Sequence, residues 1–195
     1  MKHLKMLGLT GIAALALMAL AGSASATTIS TKGAAINAAE TLELSIPSGS
    51  GEILKDTNGF VVETCKESTF KGTTEKDTSG DYTGPTVTAS VASLTFNGCS
   101  HKTVVLKNGK LHFAWTSGTN ASVSWSGAEV TFVSTIFGIS CIAVTGAGTA
   151  IGTYTGVKEG NGLFDLNGVL DMGVCGTANW SGGYKMTTAN VGVEN

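Results

Sequence analysis

The chain has 195 residues, of which 42% are hydrophobic and 13% charged, with 12 lysines, 14 acidic residues and no arginine. Nucleic-acid binders and receptors for phosphate groups rely on guanidinium groups and clustered positive charge, so the composition argues against both classes. The formal net charge is −2.

The first 26 residues have the composition of a secretory signal peptide. Lys2 and Lys5 supply the positive end, an apolar run covers 7–21, and the cleavage site ends at Ala26. The run is shorter than the roughly 20 residues that a membrane span needs. Cleavage leaves ten lysines against 14 acidic residues in one secreted domain, 27–195. We therefore expect an extracellular, cell-surface or periplasmic protein without a membrane span.

The rest of the chain alternates apolar and polar residues with a period of two, which predicts β-strands. Strands are predicted from 41 onward, at 53–55 and at 60–65, with a turn at 56–59. The region between 73 and 85 is polar and predicts an exposed loop.

A long strand is predicted over 86–97, where the apolar phase changes, and a β-bulge near Ala92 would explain that change. Asn108-Gly109 between two alternating runs predicts a type I′ hairpin turn. A further hairpin loop is predicted at 158–162. Many short strands with frequent turns predict an all-β fold, an antiparallel β-sandwich with a Greek-key-like order.

Four cysteines lie in the predicted exported part, which favours two disulfides. The interval from Cys65 to Cys99 equals the interval from Cys141 to Cys175, 34 positions in each case. Four cysteines allow three connectivities, and the equal intervals favour Cys65–Cys99 with Cys141–Cys175, and suggest an internal duplication. The spacing does not favour a metal site.

The sequence contains no recognisable catalytic or metal-binding constellation, and we assign no catalytic residue, metal or cofactor. His101 and His112 are predicted to be solvated side chains. Asp165 and Asp171 lie on one face of a predicted strand, roughly 20 Å apart, which is too far for a pair of glycosidase carboxylates. Three tryptophans are candidates for ligand stacking, although core packing is the commoner role of alternating aromatic residues: Trp115, Trp125 and Trp180.

Three segments, CKESTFKGT (65–73), SLTFNGC (93–99) and WTSGT (115–119), resemble small exported bacterial proteins with paired cysteines and a Thr/Gly-rich β body. Most members of that group have no known function. A more distant similarity is to the secreted alkane-oxidation activator type. The resemblance implies a bacterial exported protein and carries no functional residue to this chain.

Export, disulfides and low charge lead us to expect a non-enzymatic secreted or cell-surface β module that acts through interaction or assembly. Its partner is unknown, and self-association or a surface or matrix partner would fit. The alternative is an extracellular protein that binds a carbohydrate or a small apolar ligand through its tryptophans.

Overall fold

The structure is a computed structural model that describes residues 26–133 and 139–195. The predicted signal peptide lies outside the described residues except for Ala26. The described chain forms fifteen strands and one turn of 3-10 helix, Gly173–Cys175. The strands are β1 Thr27–Thr31, β2 Ala34–Ala35, β3 Thr41–Ser45, β4 Glu52–Asp56, β5 Val61–Cys65, β6 Glu67–Glu75, β7 Thr83–Gly84, β8 Val87–Asn97, β9 Val104–Ser117, β10 Asn120–Val133, β11 Ser140–Val144, β12 Thr149–Thr155, β13 Leu163–Asp171, β14 Thr177–Met186 and β15 Val191–Glu194.

Eight of these strands close into an antiparallel ring in a barrel- or sandwich-like arrangement. Each of β3, β6, β8, β9, β10, β12, β13 and β14 pairs with the next, and β14 pairs back with β3. The predicted all-β antiparallel fold with two disulfides is confirmed. Neighbours around the ring follow chain order, so the chain runs up and down where a Greek-key-like order was predicted.

The alternation that predicted the strands decides which side chains fill the ring. In β13 the buried residues are Phe164, Leu166, Gly168 and Leu170, and the residues between them are exposed. The largest fully buried side chains are aromatic and come from opposite sides of the ring: Phe70, Phe113, Trp125, Tyr154, Phe164 and Tyr184. A ring of eight strands has an interior just wide enough for such side chains or for one small ligand.

The two ends of the ring are built differently. At one end a small sheet of β15, β1, β2 and β7 covers the interior, and the Tyr154 hydroxyl donates to the Val191 carbonyl at 2.9 Å. At the other end the β4–β5 hairpin extends the sheet beyond β14, and β11 pairs with both β10 and β13.

Both disulfides have the connectivity that the equal cysteine intervals predicted. Cys65 at the end of β5 bonds Cys99 after β8, and Cys141 in β11 bonds Cys175 in the 3-10 turn. Each therefore fastens an element outside the ring to a segment that follows a ring strand. Structural disulfides of this kind are typical of an oxidising compartment.

The predicted β-bulge near Ala92 is confirmed. Lys71 pairs with Ser93 and Gly72 pairs with Val91, so Ala92 is the extra residue in β8.

The predicted hairpin turn at Asn108-Gly109 is wrong, because β9 runs through both residues without a break. Gly109 has a positive φ of 70°, as a type I′ turn would require, but the strand continues. A Cβ atom at Gly109 would lie 2.7 Å from the Ala128 nitrogen and would also strike Ser126, so the glycine permits a close approach to β10.

Within the part of the chain that is described, the structure has no helix long and apolar enough to cross a membrane.

Candidate functional site

A cavity of about 50 Å³ lies at the end of the ring beside the β4–β5 hairpin. One side is formed by β4 and β5, the other by β10 and β11, with β13 and β14 between them. The lining is mostly apolar: Leu54, Cys65, Phe96, Trp125, Ala128, Val130, Phe132, Ala143, Leu170 and Trp180, with Glu52, Glu63, Thr103 and Thr145 as the polar members. Phe96, Thr103 and Val130 are only half-buried, and they mark the side on which solvent is nearest.

An aromatic cluster forms one wall of the cavity. The rings of Trp125 and Trp180 have centroids 5.5 Å apart, and Phe70 packs edge-on against Trp125 at 5.3 Å. Both indole N–H groups are used: Trp125 donates to the Asn108 carbonyl at 2.9 Å, and Trp180 donates to Glu52 Oε2 at 2.8 Å. Neither N–H group is therefore free, and what the two indoles contribute to the lining is ring carbon surface.

Glu52 is the most unusual residue of the cavity because it is a carboxyl group that is only 4% exposed. Its Oε2 atom accepts hydrogen bonds from Trp180 and from the Tyr184 hydroxyl, the latter at 2.7 Å. The Tyr184 hydroxyl also lies 3.0 Å from Ser68 Oγ. Among the described residues, Glu52 Oε1 is the one buried side-chain polar atom without a hydrogen-bond partner.

Burial changes the titration of this group. It raises the pKa of Glu52 to about 7, against the lowering effect of the Tyr184 and Trp180 hydrogen bonds, and the nearby Glu63 adds to the rise. Burial likewise raises the pKa of Tyr184 well above its ordinary value, with a contribution from Glu52. Near neutral pH the carboxyl therefore exists in both protonation states, whereas the phenol keeps its proton.

Glu63, the second buried acid, has its hydrogen-bonding capacity filled. Its carboxylate accepts from the Thr64 amide at 2.9 Å and from the Ser100 hydroxyl, and His101 Nδ1 lies 3.2 Å away. Thr145, on the far wall, accepts from the Ala128 amide at 2.9 Å. Of the two acids that line the cavity, only Glu52 has a polar atom left to offer.

The local sequence explains how the two acids come to be buried. Glu52 is in phase with Leu54 along β4, and Glu63 is in phase with Cys65 along β5, so each acid faces the same side as a core residue. Gly182 lies opposite Glu52 on β14, and a Cβ there would be 3.1 Å from the Glu52 Cβ. The glycine makes room for the acid.

Neither acid was among the residues predicted from the sequence, although the period-two phase of β4 and β5 could have revealed both. Asp165 and Asp171, which the sequence excluded as a glycosidase pair, are both exposed on the outer face of β13. Neither contributes to the cavity.

The predicted stacking residues separate into two groups. Trp125 and Trp180 are buried and line the cavity, whereas Trp115 lies elsewhere on β9, partly buried, with its indole donating to the Gly118 carbonyl at 3.0 Å. The structure therefore brings two of the three together, with core packing as their visible role.

Both histidines are less solvated than predicted. His101 lies against Glu63 beside the cavity. His112 is held between Thr88 at 3.0 Å and Ser126 at 2.8 Å, and burial together with Lys110 lowers its pKa.

No group of three or more His, Cys, Asp or Glu side chains suited to a metal ion occurs in residues 26–133 and 139–195. What the cavity offers chemically is an apolar, aromatic-walled space with a single unfilled polar position at Glu52.

Comparisons with protein-family models, with curated proteins and with solved structures give no match to this chain. The resemblance to exported bacterial proteins stays a prediction.

Proposed function

We propose that this protein is a secreted, non-enzymatic binding protein for a small, largely apolar ligand, held in the cavity between the β4–β5 hairpin and strands β10 and β11. The observation that carries the proposal is an apolar cavity at one end of a closed ring whose opposite end is covered. Ligand sites are typically apolar spaces with a few placed polar groups. Glu52 supplies that polar group here.

The size of the cavity supports a ligand and not only trapped water. Its volume of about 50 Å³ exceeds by several-fold the roughly 10–15 Å³ that one water molecule requires. A water molecule also needs two to four polar partners, and most of this lining cannot hydrogen-bond. An apolar group would instead make dispersion contacts with Trp125, Trp180 and Phe132.

Titration with 1-hexanol, followed through the three indole N–H signals in NMR spectra, tests the proposal. Trp125 and Trp180 line the cavity and Trp115 does not, so we expect saturable shifts at the first two signals and none at the third. The absence of shifts at high alcohol concentration, or equal shifts at all three, would overturn the proposal.

A pair of variants locates the binding in the cavity. Val130→Phe places a larger side chain on a half-buried lining position, and we expect it to weaken binding about tenfold or more by filling the space. Val169→Phe makes the same change on the exposed outer face of β13 and should leave binding unaltered.

The alternative role, interaction or assembly, is supported by a different observation. Five apolar side chains on the outer face of β9, β10 and β11 are each 39–55% exposed: Val104, Leu106, Val133, Ile142 and Val144. The three strands are adjacent there, because Val104 of β9 and Ile142 of β11 both pair with Thr131 of β10. Such patches mark contact sites on soluble proteins. We propose self-association through this face as the second candidate function.

Light scattering after size exclusion gives the molar mass that tests this second candidate. We expect a dimer for the native chain and a monomer for Leu106→Lys, because a charge cannot be buried unpaired in an apolar contact. Leu163→Lys is the control. Leu163 is equally exposed but lies at the end of β13 away from β11, so this variant should stay dimeric. A monomeric native protein would exclude the candidate.

A further inference from the structure

We propose that the ligand of this cavity is a cationic amphiphile, an apolar body that carries a protonated amine, with the ammonium group seated at Glu52 Oε1. The inference rests on the proposed function and deepens it by naming the class of ligand. It is carried by the unfilled oxygen of Glu52 and by the charges around the cavity.

The unfilled oxygen calls for a donor when the carboxyl is ionised. A buried carboxylate oxygen without a partner loses its hydration and gains nothing in return. Trp180 and Tyr184 both donate to the other oxygen, Oε2, so the protein itself supplies nothing to Oε1. An ammonium group has three donors and no acceptor, and it would supply the missing bond without adding an unsatisfied acceptor.

The charges of the lining favour a cation over an anion. Two carboxyl groups, Glu52 and Glu63, line the cavity, and no lysine does. A ligand carboxylate placed at this end would face like charge in a poorly solvated space. An ammonium group would instead be attracted by Glu52, and the indole faces of Trp125 and Trp180 add cation–π attraction.

The titratable groups that face Glu52 come from its two neighbouring strands. Tyr184 on β14 donates to it, and Glu63 on β5 raises its pKa, with His101 against Glu63 on the outer side. Without a ligand the pKa of Glu52 is about 7. Below neutral pH, Glu52 must therefore lose its proton before an ammonium group can pair with the carboxylate. Amine affinity should therefore rise about tenfold between pH 6 and pH 8.

Three compounds of equal length provide the test: hexylamine, 1-hexanol and hexanoate, titrated against the Trp125 and Trp180 indole signals. We expect hexylamine to bind at least about tenfold tighter than 1-hexanol, because the bond to a charged group is the stronger one. Hexanoate should bind most weakly.

Glu52→Gln is the matching variant, since it keeps the shape and removes the charge. It should weaken hexylamine binding about 10- to 100-fold, abolish its rise with pH, and change 1-hexanol binding much less. Glu43→Gln, a glutamate paired with Lys71 on the outer surface, is the control and should change neither.

The outcomes separate this inference from the proposed function. If 1-hexanol binds in the cavity as tightly as hexylamine, or if hexylamine affinity survives Glu52→Gln, the cationic class is wrong and the proposed binding function stands. If none of the three compounds shifts the two indole signals, both are wrong.

Discussion

At the scale of single residues, Glu52 is a costly group for the fold to keep. A buried carboxyl with one oxygen unfilled is stabilised by protonation, and burial accordingly raises its pKa to about 7. A leucine or methionine at this position would remove the carboxyl group but would leave the buried Trp180 N–H without its acceptor. The packing does not account for the unfilled Oε1 atom, and we attribute that atom to the proposed binding. Residues that break a local rule are often functional ones.

The raised pKa predicts how stability depends on pH. The folded state holds the Glu52 proton up to about pH 7, whereas the unfolded chain releases it near 4.5. The contribution is therefore fully present below pH 4.5 and is lost as the pH rises to 7. Urea unfolding should show the free energy of unfolding falling by up to about 3 kcal/mol between pH 4.5 and pH 8.

The same experiment on Glu52→Gln isolates this residue from the other titrating groups. His112, whose pKa is lowered, acts in the opposite direction and is unchanged in the variant. We expect the difference in stability between the two proteins to vary with pH. A constant difference from pH 4.5 to pH 8 would contradict the raised pKa.

At the scale of elements, alternation predicted most of the strands because it is a local property: a strand with one buried face shows it in a few residues. The β-bulge at Ala92 was predictable for the same reason. The prediction of a turn at Asn108-Gly109 was wrong because a glycine with positive φ is compatible both with a turn and with a close approach to a neighbouring strand. The close approach depends on Ser126 and Ala128 of β10, which a local sequence pattern around Gly109 does not include.

The cavity could not be predicted in the same way. Its lining comes from strands that the ring closure brings together, and closure joins β3 to β14 across most of the chain. The phase of Glu52 and Glu63 was visible in the sequence, but that they share one space was not. The equal cysteine intervals, by contrast, were enough to select the disulfides that the structure has.

The β4–β5 hairpin depends on its disulfide more than the ring strands do. Among the described strands β5 pairs only with β4. Beyond that pairing it is held by the Cys65–Cys99 bond and by hydrogen bonds from the segment that follows Cys99, namely the Ser100 amide to the Thr64 carbonyl and the contacts of Ser100 and His101 with Glu63. Cys65→Ala with Cys99→Ala should speed amide hydrogen exchange in 60–65 about 10-fold or more, because local opening becomes easier.

The second disulfide is the matched control, since it closes a loop of the same length. Cys141→Ala with Cys175→Ala should speed exchange in β11 and leave 60–65 unchanged. Equal effects of both pairs on 60–65 would show that the hairpin opens only when the whole domain unfolds.

At the scale of the whole molecule, the ring is closed by one short seam, the pairing of β3 with β14. β3 pairs with β14 only through Leu44 and Ser45, because β4 takes over the rest of that edge of β14. Thr188 extends the seam: its hydroxyl accepts from the Glu43 amide at 3.1 Å and donates to the Thr41 carbonyl at 3.0 Å. These contacts span about 145 positions in the chain, so among the pairings that close the ring they carry the largest loop-closure cost.

Because the contacts between β3 and the end of β14 close a long loop, we expect them to form late in folding. Thr188→Val tests this expectation. The variant loses both hydroxyl bonds at nearly constant shape, and we expect the free energy of unfolding to fall by about 1–3 kcal/mol. The loss should be expressed mainly as faster unfolding in a denaturant chevron, with the folding rate little changed. Thr95→Val, an exposed threonine within β8, is the control and should alter stability little. A slower folding rate with an unchanged unfolding rate would mean instead that the ring closes before the rest of the sheet is consolidated.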